Sequence, residues 1–162
     1  MTRLIGLIAL AVLLMGCRAV DDDSPCGPTH ATVERVIDGD TIVLTSGEKV
    51  RYLLVDANEV TNGKGACFGA EARTVNRSLV EGKAVDIAYD EVCADKYGRL
   101  LGYVSVDGLD VASLLVEGGY ACVLYIPPDG AARRAELESL QAEARAAGAG
   151  MWGACAEVPC AP

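Results

Sequence analysis

Residues 32–59 read TVERVIDGDTIVLTSGEKVRYLLVDANE. Thr32 to Ile37, Thr41 to Thr45 and Lys49 to Val55 are dense in Val, Ile, Leu and Thr, side chains that suit a pleated, half-buried surface. Ser46-Gly47 marks the turn between the second and third runs, so the stretch predicts a three-stranded meander. Its acids gather where strands end. Asp38 and Asp40 flank Gly39, which lets the backbone turn tightly, and a spacing of two points both carboxylates to one side. Asp56 and Glu59 follow the third run.

Helical spacing takes over at Ala70 to Glu81, where Ala72, Val75 and Leu79 share a face and Gly82 supplies a stop. Ala84 to Tyr89 and Leu100 to Val106 read as two further strands, and the loop between them holds Asp95-Lys96-Tyr97-Gly98-Arg99. Asp110 caps a short helix through Glu117 that ends at Gly118-Gly119, and Tyr120 to Ile126 reads as extended up to the Pro127-Pro128 breaker. A last helix, from about Ala131 to Ala147, aligns Leu137, Leu140, Ala144 and Ala147 on one stripe, the pattern of a helix packed against a barrel. Five strands with a helix inserted between the third and fourth follow the order of an OB-type barrel. The expected fold class is therefore mainly β with α (α+β), a five-stranded OB-type β-barrel with three helices, preceded by a signal peptide and tether.

At 162 residues and 51% hydrophobic composition the chain has material for one core rather than two. The expected divisions are a lipoprotein-type signal peptide at 1–16, a tether at 17–30, the barrel domain at 31–154 and a Cys-containing tail at 155–162. Arg3 followed by the apolar run Leu4 to Gly16 has the basic and apolar regions of a secretory signal, and the run falls short of the about 20 residues that a spanning helix needs. Leu14-Met15-Gly16-Cys17 resembles the bacterial lipobox, which implies lipidation of Cys17 and attachment of the exported protein to an envelope membrane. Met15 is unusual at its position, which leaves open a plain signal peptide and release of a secreted protein; an anchor that is never cleaved is the third alternative. Ala19 to Pro28, with three consecutive aspartates and two prolines, reads as a solvated tether.

Beyond Cys17, cysteines remain at 26, 67, 93, 122, 155 and 160, an even number that suits three disulfides in an oxidising compartment. Only Cys155 and Cys160 are close enough in sequence to look like a local loop, and the connectivity stays open. Zinc is the competing use of cysteine, yet no C-x-x-C occurs and His30 is the sole histidine.

The chain lacks G-x-S-x-G, G-x-x-x-x-G-K-[ST] and H-E-x-x-H, and a Ser or Cys nucleophile would want a histidine that His30, beside the tether, is badly placed to supply. What it offers is Asp38, Asp40, Asp56 and Glu59 with Arg51 and Arg99. Oxygen ligands select a hard cation, and calcium accepts the irregular, water-completed geometry of such loops. An EF-hand is excluded by Ile42 at a ligand position, and D-G-D alone reads as a solvated turn. Guanidinium groups clamp phosphate through paired hydrogen bonds, although either arginine taken singly reads as surface charge. Arg51 and Asp56 stand an odd number of residues apart, so both serve one site only if the strand bends between them. The formal net charge of -9 works against collecting a polyanion unless a metal and a few arginines reverse the sign within one cleft.

In order and spacing, V-I-D-G-D-T, R-Y-L-L-V-D-A-N-E, F-G-A-E-A, D-K-Y-G-R-L-L-G-Y and M-W-G make the stretch from Thr32 to Gly153 resemble the staphylococcal nuclease (thermonuclease) family. The resemblance implies calcium-dependent endonucleolytic hydrolysis of DNA and RNA, single strands preferred, with 3'-phosphate products and a monomeric enzyme. It implies Asp40 and Asp56 as direct Ca2+ ligands with the backbone oxygen of Ala57, Asp38 and Glu59 acting through water, and Thr41 beside them. Arg51 and Arg99 correspond to phosphate clamps, Glu59 to the general base, and Lys96, Tyr97 and Tyr125 to positions that hold the nucleotide. Asn58 stands where the family usually has proline, a change expected to loosen the loop that carries Glu59.

Two other readings compete. A non-catalytic OB-fold nucleic-acid-binding lipoprotein would stack bases on aromatics, against which stand the 5% aromatic content and the complete set of acids and arginines. An envelope lipoprotein with a purely structural role would show no metal dependence.

Overall fold

The computed structural model describes residues 24–60, 66–158 and 160. The expected signal peptide, Cys17 and the first part of the tether lie outside these residues. In chain order the elements are β1 (His30–Val36), β2 (Thr41–Leu44), β3 (Lys49–Tyr52), β4 (Val55–Asp56), α1 (Gly69–Val80), β5 (Ala84–Ala88), β6 (Leu100–Val106), β7 (Leu109–Asp110), α2 (Val111–Glu117), β8 (Cys122–Val123), α3 (Arg134–Ala147) and α4 (Met151–Ala154).

The meander forms as the pattern predicts, and five strands close a barrel. Neighbours run β3-β2-β1-β5-β6, all antiparallel, and β3 then meets β6 in parallel, Val50 opposite Leu100 and Tyr52 opposite Gly102. β1 serves two neighbours: His30 to Thr32 pair with β5 and Val33 to Val36 with β2, and a register break between Val33 and Arg35 bends the strand from one to the other. Ile42, Leu44, Val50 and Val104 fill the core, which continues into Leu115 of α2 and Leu137 of α3. The Asp110 carboxylate caps α2 by accepting from the Ser113 amide at 2.7 Å. Among the described residues no helix is long and apolar enough to cross a membrane.

Three elements differ from the sequence-based expectation. The third strand does not run from Lys49 to Val55. It stops at Tyr52, Leu54 adopts a left-handed conformation (φ 65), and the chain resumes as β4, which leaves the barrel to pair with β8. Continuous aliphatic residues concealed this break, because Leu53 and Leu54 are both buried on either side of the bend. Tyr120 to Ile126 contributes only the two residues of β8 to a ladder. The last long helix begins at Arg134 instead of Ala131, after a turn in which the Gly130 carbonyl accepts from the amides of Arg133 and Arg134.

All six cysteines among the described residues pair: Cys26 with Cys93, Cys67 with Cys155, and Cys122 with Cys160, at Cα separations of 4.8, 5.9 and 5.5 Å. The short Cys155 to Cys160 loop does not form. Each of the two instead reaches back across the fold.

Candidate active site

The D-G-D turn is fixed by packing as much as by hydrogen bonds. Gly39 is buried, and a Cβ in its place would lie 2.4 Å from Ala57 Cβ and 2.9 Å from Ala72 Cβ. Glycine is needed here for space, since its φ does not lie in the left-handed region. Asn76 of α1, fully buried, donates from Nδ2 to the Asp38 carbonyl at 3.0 Å, and its own Oδ1 accepts from the Tyr52 hydroxyl at 2.9 Å. The Asp38 carboxylate turns inward to accept from the Asp40 amide at 3.2 Å.

Asp40 is buried at the entry to β2. Its Oδ1 accepts from the Thr41 hydroxyl and its Oδ2 from the Ala57 amide, both at 2.8 Å. Burial pushes its carboxyl up to about 7; Arg51 pulls it back, Asp38 adds to the rise, and the Ala57 and Thr41 bonds lower it further. Arg51 Nη1 lies 3.2 Å from Asp40 Oδ2, and Nη2 lies 2.8 Å from Asp56 Oδ1. Nη1 also donates to the carbonyls of Tyr52 (3.1 Å) and Val55 (2.6 Å). The bend at Leu54 is what allows this. It folds the chain around the guanidinium and brings Asp56 back to Arg51 despite their odd spacing.

Arg51 also lines a cleft of about 540 Å³ with Arg99, Asp95, Lys96 and Tyr97. Arg99 is held by Asp95, whose Oδ2 accepts from Nε at 2.7 Å and lies 2.7 Å from Nη2. Asp95 Oδ1 accepts from the amides of Tyr97 and Arg99, at 2.8 and 3.0 Å, which winds D-K-Y-G-R into a tight turn with Gly98 left-handed (φ 75). Burial raises the Asp95 carboxyl, but these bonds from Arg99 and Tyr97 outweigh it and hold the group below the usual carboxylate range. Lys96 Nζ lies 5.1 Å from the centre of the Tyr97 ring, which is 73% exposed at the edge of the cleft.

The structure thus brings Asp40, Asp56, Arg51, Thr41 and Ala57 into direct contact, and sets Arg99, Lys96 and Tyr97 along the same cleft as Arg51. It does not gather all four acids. Among the described residues no group of three or more His, Cys, Asp or Glu side chains converges as a metal cage would. Glu59 is exposed, three residues beyond Asp56. Tyr125 is not among the cleft-lining residues and packs under Arg134, whose guanidinium carbon lies 4.7 Å from the ring centre. Asn58 does not simply loosen its loop. Its side-chain amide donates to the Cys67 carbonyl, a bond that proline cannot make. Asp95 escaped the sequence reading although it lies four residues before Arg99 in a glycine-containing turn, the one local signal that marks the pair.

A hard divalent cation fits the donor set. The groups facing Arg51 are oxygens only, and the buried Asp40 carboxylate shares its one guanidinium with Asp56. Such an ion would take two protein carboxylates and complete its shell with water and carbonyl oxygen.

A sequence profile described as staphylococcal nuclease homologue matches residues 49–154. Endonuclease YncB of Bacillus subtilis (strain 168) is 43% identical over 104 residues, which cover 60% of this chain and 49% of that protein. The SPbeta prophage-derived endonuclease YokF of the same organism is 40% identical over 102 residues, 59% of this chain and 34% of that protein. The chain therefore spans about half or less of these two relatives. An uncharacterized endonuclease of Escherichia coli O157:H7 is 35% identical over 138 residues, 83% of this chain and 84% of its own length. With the closed barrel, the D-G-D turn and the Arg51 pairing in place, these matches establish that the chain belongs to the staphylococcal nuclease homologue family.

Proposed function

We propose that this protein is an exported calcium-dependent endonuclease that hydrolyses phosphodiester bonds of DNA and RNA, preferring single strands, as a monomer. Its products carry 3'-phosphates. It is anchored in the bacterial envelope by a lipid on Cys17 or released as a secreted protein, and the pairing of all six described cysteines supports the oxidising compartment that export implies. The observation that carries the reading is the position of Arg51, between the carboxylates of Asp40 and Asp56 on one side and a cleft shared with Arg99 on the other.

Asp40, Asp56 and the Ala57 carbonyl would hold the calcium, with Asp38 acting through water and Thr41 beside them. When bound, the ion supplies Lewis-acid polarisation of a phosphate oxygen and relieves the buried negative charge of Asp40. Arg51 would bind the phosphodiester together with Arg99, which exchanges Asp95 for a phosphate oxygen. The two guanidinium groups then neutralise charge that grows in the five-coordinate transition state. Glu59 accepts the proton of the attacking water. Lys96 and Tyr97 hold the strand along the cleft, and Tyr125 supports it from behind Arg134. No step requires the 2'-hydroxyl, which fits action on both DNA and RNA.

Purified, oxidised protein is expected to digest single-stranded DNA and RNA when calcium is added and to stop when a chelator is added. Binding of single strands without cleavage over a wide calcium range would favour the non-catalytic binding module.

A further inference from the structure

Each disulfide ends beside a segment of the candidate site, and its other end lies in chain outside the barrel. Cys122 is the register partner of Asp56 in the β4–β8 pair and is bonded to Cys160. Cys67 accepts from the side chain of Asn58, the neighbour of Glu59, and is bonded to Cys155 at the end of α4. Cys93 stands two residues before Asp95, accepts from the Leu101 amide at 2.9 Å, and is bonded to Cys26.

These are the segments that the barrel ladder does not fix. β4 is two residues long and pairs only with β8, itself two residues long. The loop from Asp90 to Arg99 makes no ladder and joins β6 through the isolated bridge of Ala94 to Leu100, the Leu101 amide on the Cys93 carbonyl and the Tyr103 hydroxyl on Asp90. Each site segment thus has a short ladder or a few side-chain contacts with the barrel, such as Arg51 on Val55 and Asp56 and Asp40 on the Ala57 amide, and one covalent strap to chain outside it. The straps are the remaining tether (Cys26) and the chain after α4 (Cys155 and Cys160).

We propose that the three disulfides are positioning elements of the site, so that oxidation assembles it and reduction disperses Asp56, Glu59 and Arg99 while the barrel persists. Each bridge forms when two thiols lose two protons and two electrons to a disulfide oxidant, which departs as two thiols. The chain is then nearly inactive until it reaches an oxidising compartment. This rests on the nuclease reading above for its activity arm alone.

The test uses full-length chains in which one bridge at a time is removed, Cys67→Ser with Cys155→Ser, and separately Cys26→Ser with Cys93→Ser. Amide hydrogen exchange and steady-state cleavage of single-stranded DNA are measured against the oxidised parent. The first variant is expected to exchange at least tenfold faster over Ala57 to Val60, with β1, β2 and β3 unchanged. Its turnover should fall at least tenfold while KM moves less than threefold. The second should show the same pattern over Val92 to Arg99. Faster exchange spread evenly through the barrel, or no change at the named segments, overturns the proposal, and either variant suffices if the other does not fold. If the parent does not cleave, the nuclease reading fails and the exchange arm still decides the role of the bridges.

Discussion

Arg51 and Arg99 reach the same cleft under different restraint. Arg51 is gripped by two carbonyls and two carboxylates, with 12% of its side chain exposed, whereas Arg99 is 30% exposed, paired with the Asp95 carboxylate and 5.6 Å from the centre of the Tyr97 ring. On the proposed function, exchange of one carboxylate for a phosphate oxygen is therefore easier for Arg99, which would suit a group that stabilises charge as it develops. Arg99→Ala is expected to lower turnover roughly a hundredfold or more, the scale for removing one preorganised donor to a transition state. A loss below about threefold in single-turnover cleavage would take Arg99 out of the mechanism. Residue types and spacing made Asp40, Asp56 and Arg51 legible in the sequence. The partners that hold them were not, because Asn76 and Asp95 reach the site through tertiary contacts or turn geometry that no periodicity records.

At the scale of elements, α1 and the D-G-D turn act as one unit, joined by Ala72 against Gly39 and by Asn76 on the Asp38 carbonyl. Gly39→Ala inserts a methyl group 2.4 Å from the Ala57 Cβ and 2.9 Å from the Ala72 Cβ, so urea unfolding should show a loss of about 1–3 kcal/mol, the usual cost of overpacking. Unchanged stability would mean that the turn relaxes freely. The meander and the first helix were readable from two periodicities, but the β3–β4 break was not, since an uninterrupted aliphatic run conceals a left-handed residue.

α2 offers a pH test of the same kind. Burial raises the Asp110 carboxyl, yet the Arg133 guanidinium at 2.7 Å and the Ser113 amide outweigh it and hold the group below its ordinary value of 3.8. A depressed carboxyl contributes stability above its unfolded value and loses it as pH falls through the folded one. Asparagine keeps the cap and removes the charge. Unfolding of the parent and of Asp110→Asn should accordingly differ most near neutral pH, and the gap should close as pH falls below 3.8. A gap that stays constant into acid would show that the ion pair with Arg133 adds nothing.

For the molecule as a whole, the proposed function requires a chain of net charge -9 to draw a polyanion into one cleft. Distant acids are screened within about 8 Å at physiological salt, so the proposed function needs the balance to be struck locally, by two arginines, Lys96 and the cation proposed at Asp40 and Asp56. The barrel that frames this cleft was legible in the sequence, because alternating aliphatic runs and the inserted helix specify the strand order. The disulfide pairing was not, because cysteines distant along the chain meet only once the barrel, the tail and the tether are packed. If Asp40 and Asp56 form a cation site, calorimetric titration of calcium, without substrate, should show one ion bound by the parent and binding at least tenfold weaker to Asp40→Asn. Equal binding by the two proteins, or none by the parent, would rule that site out.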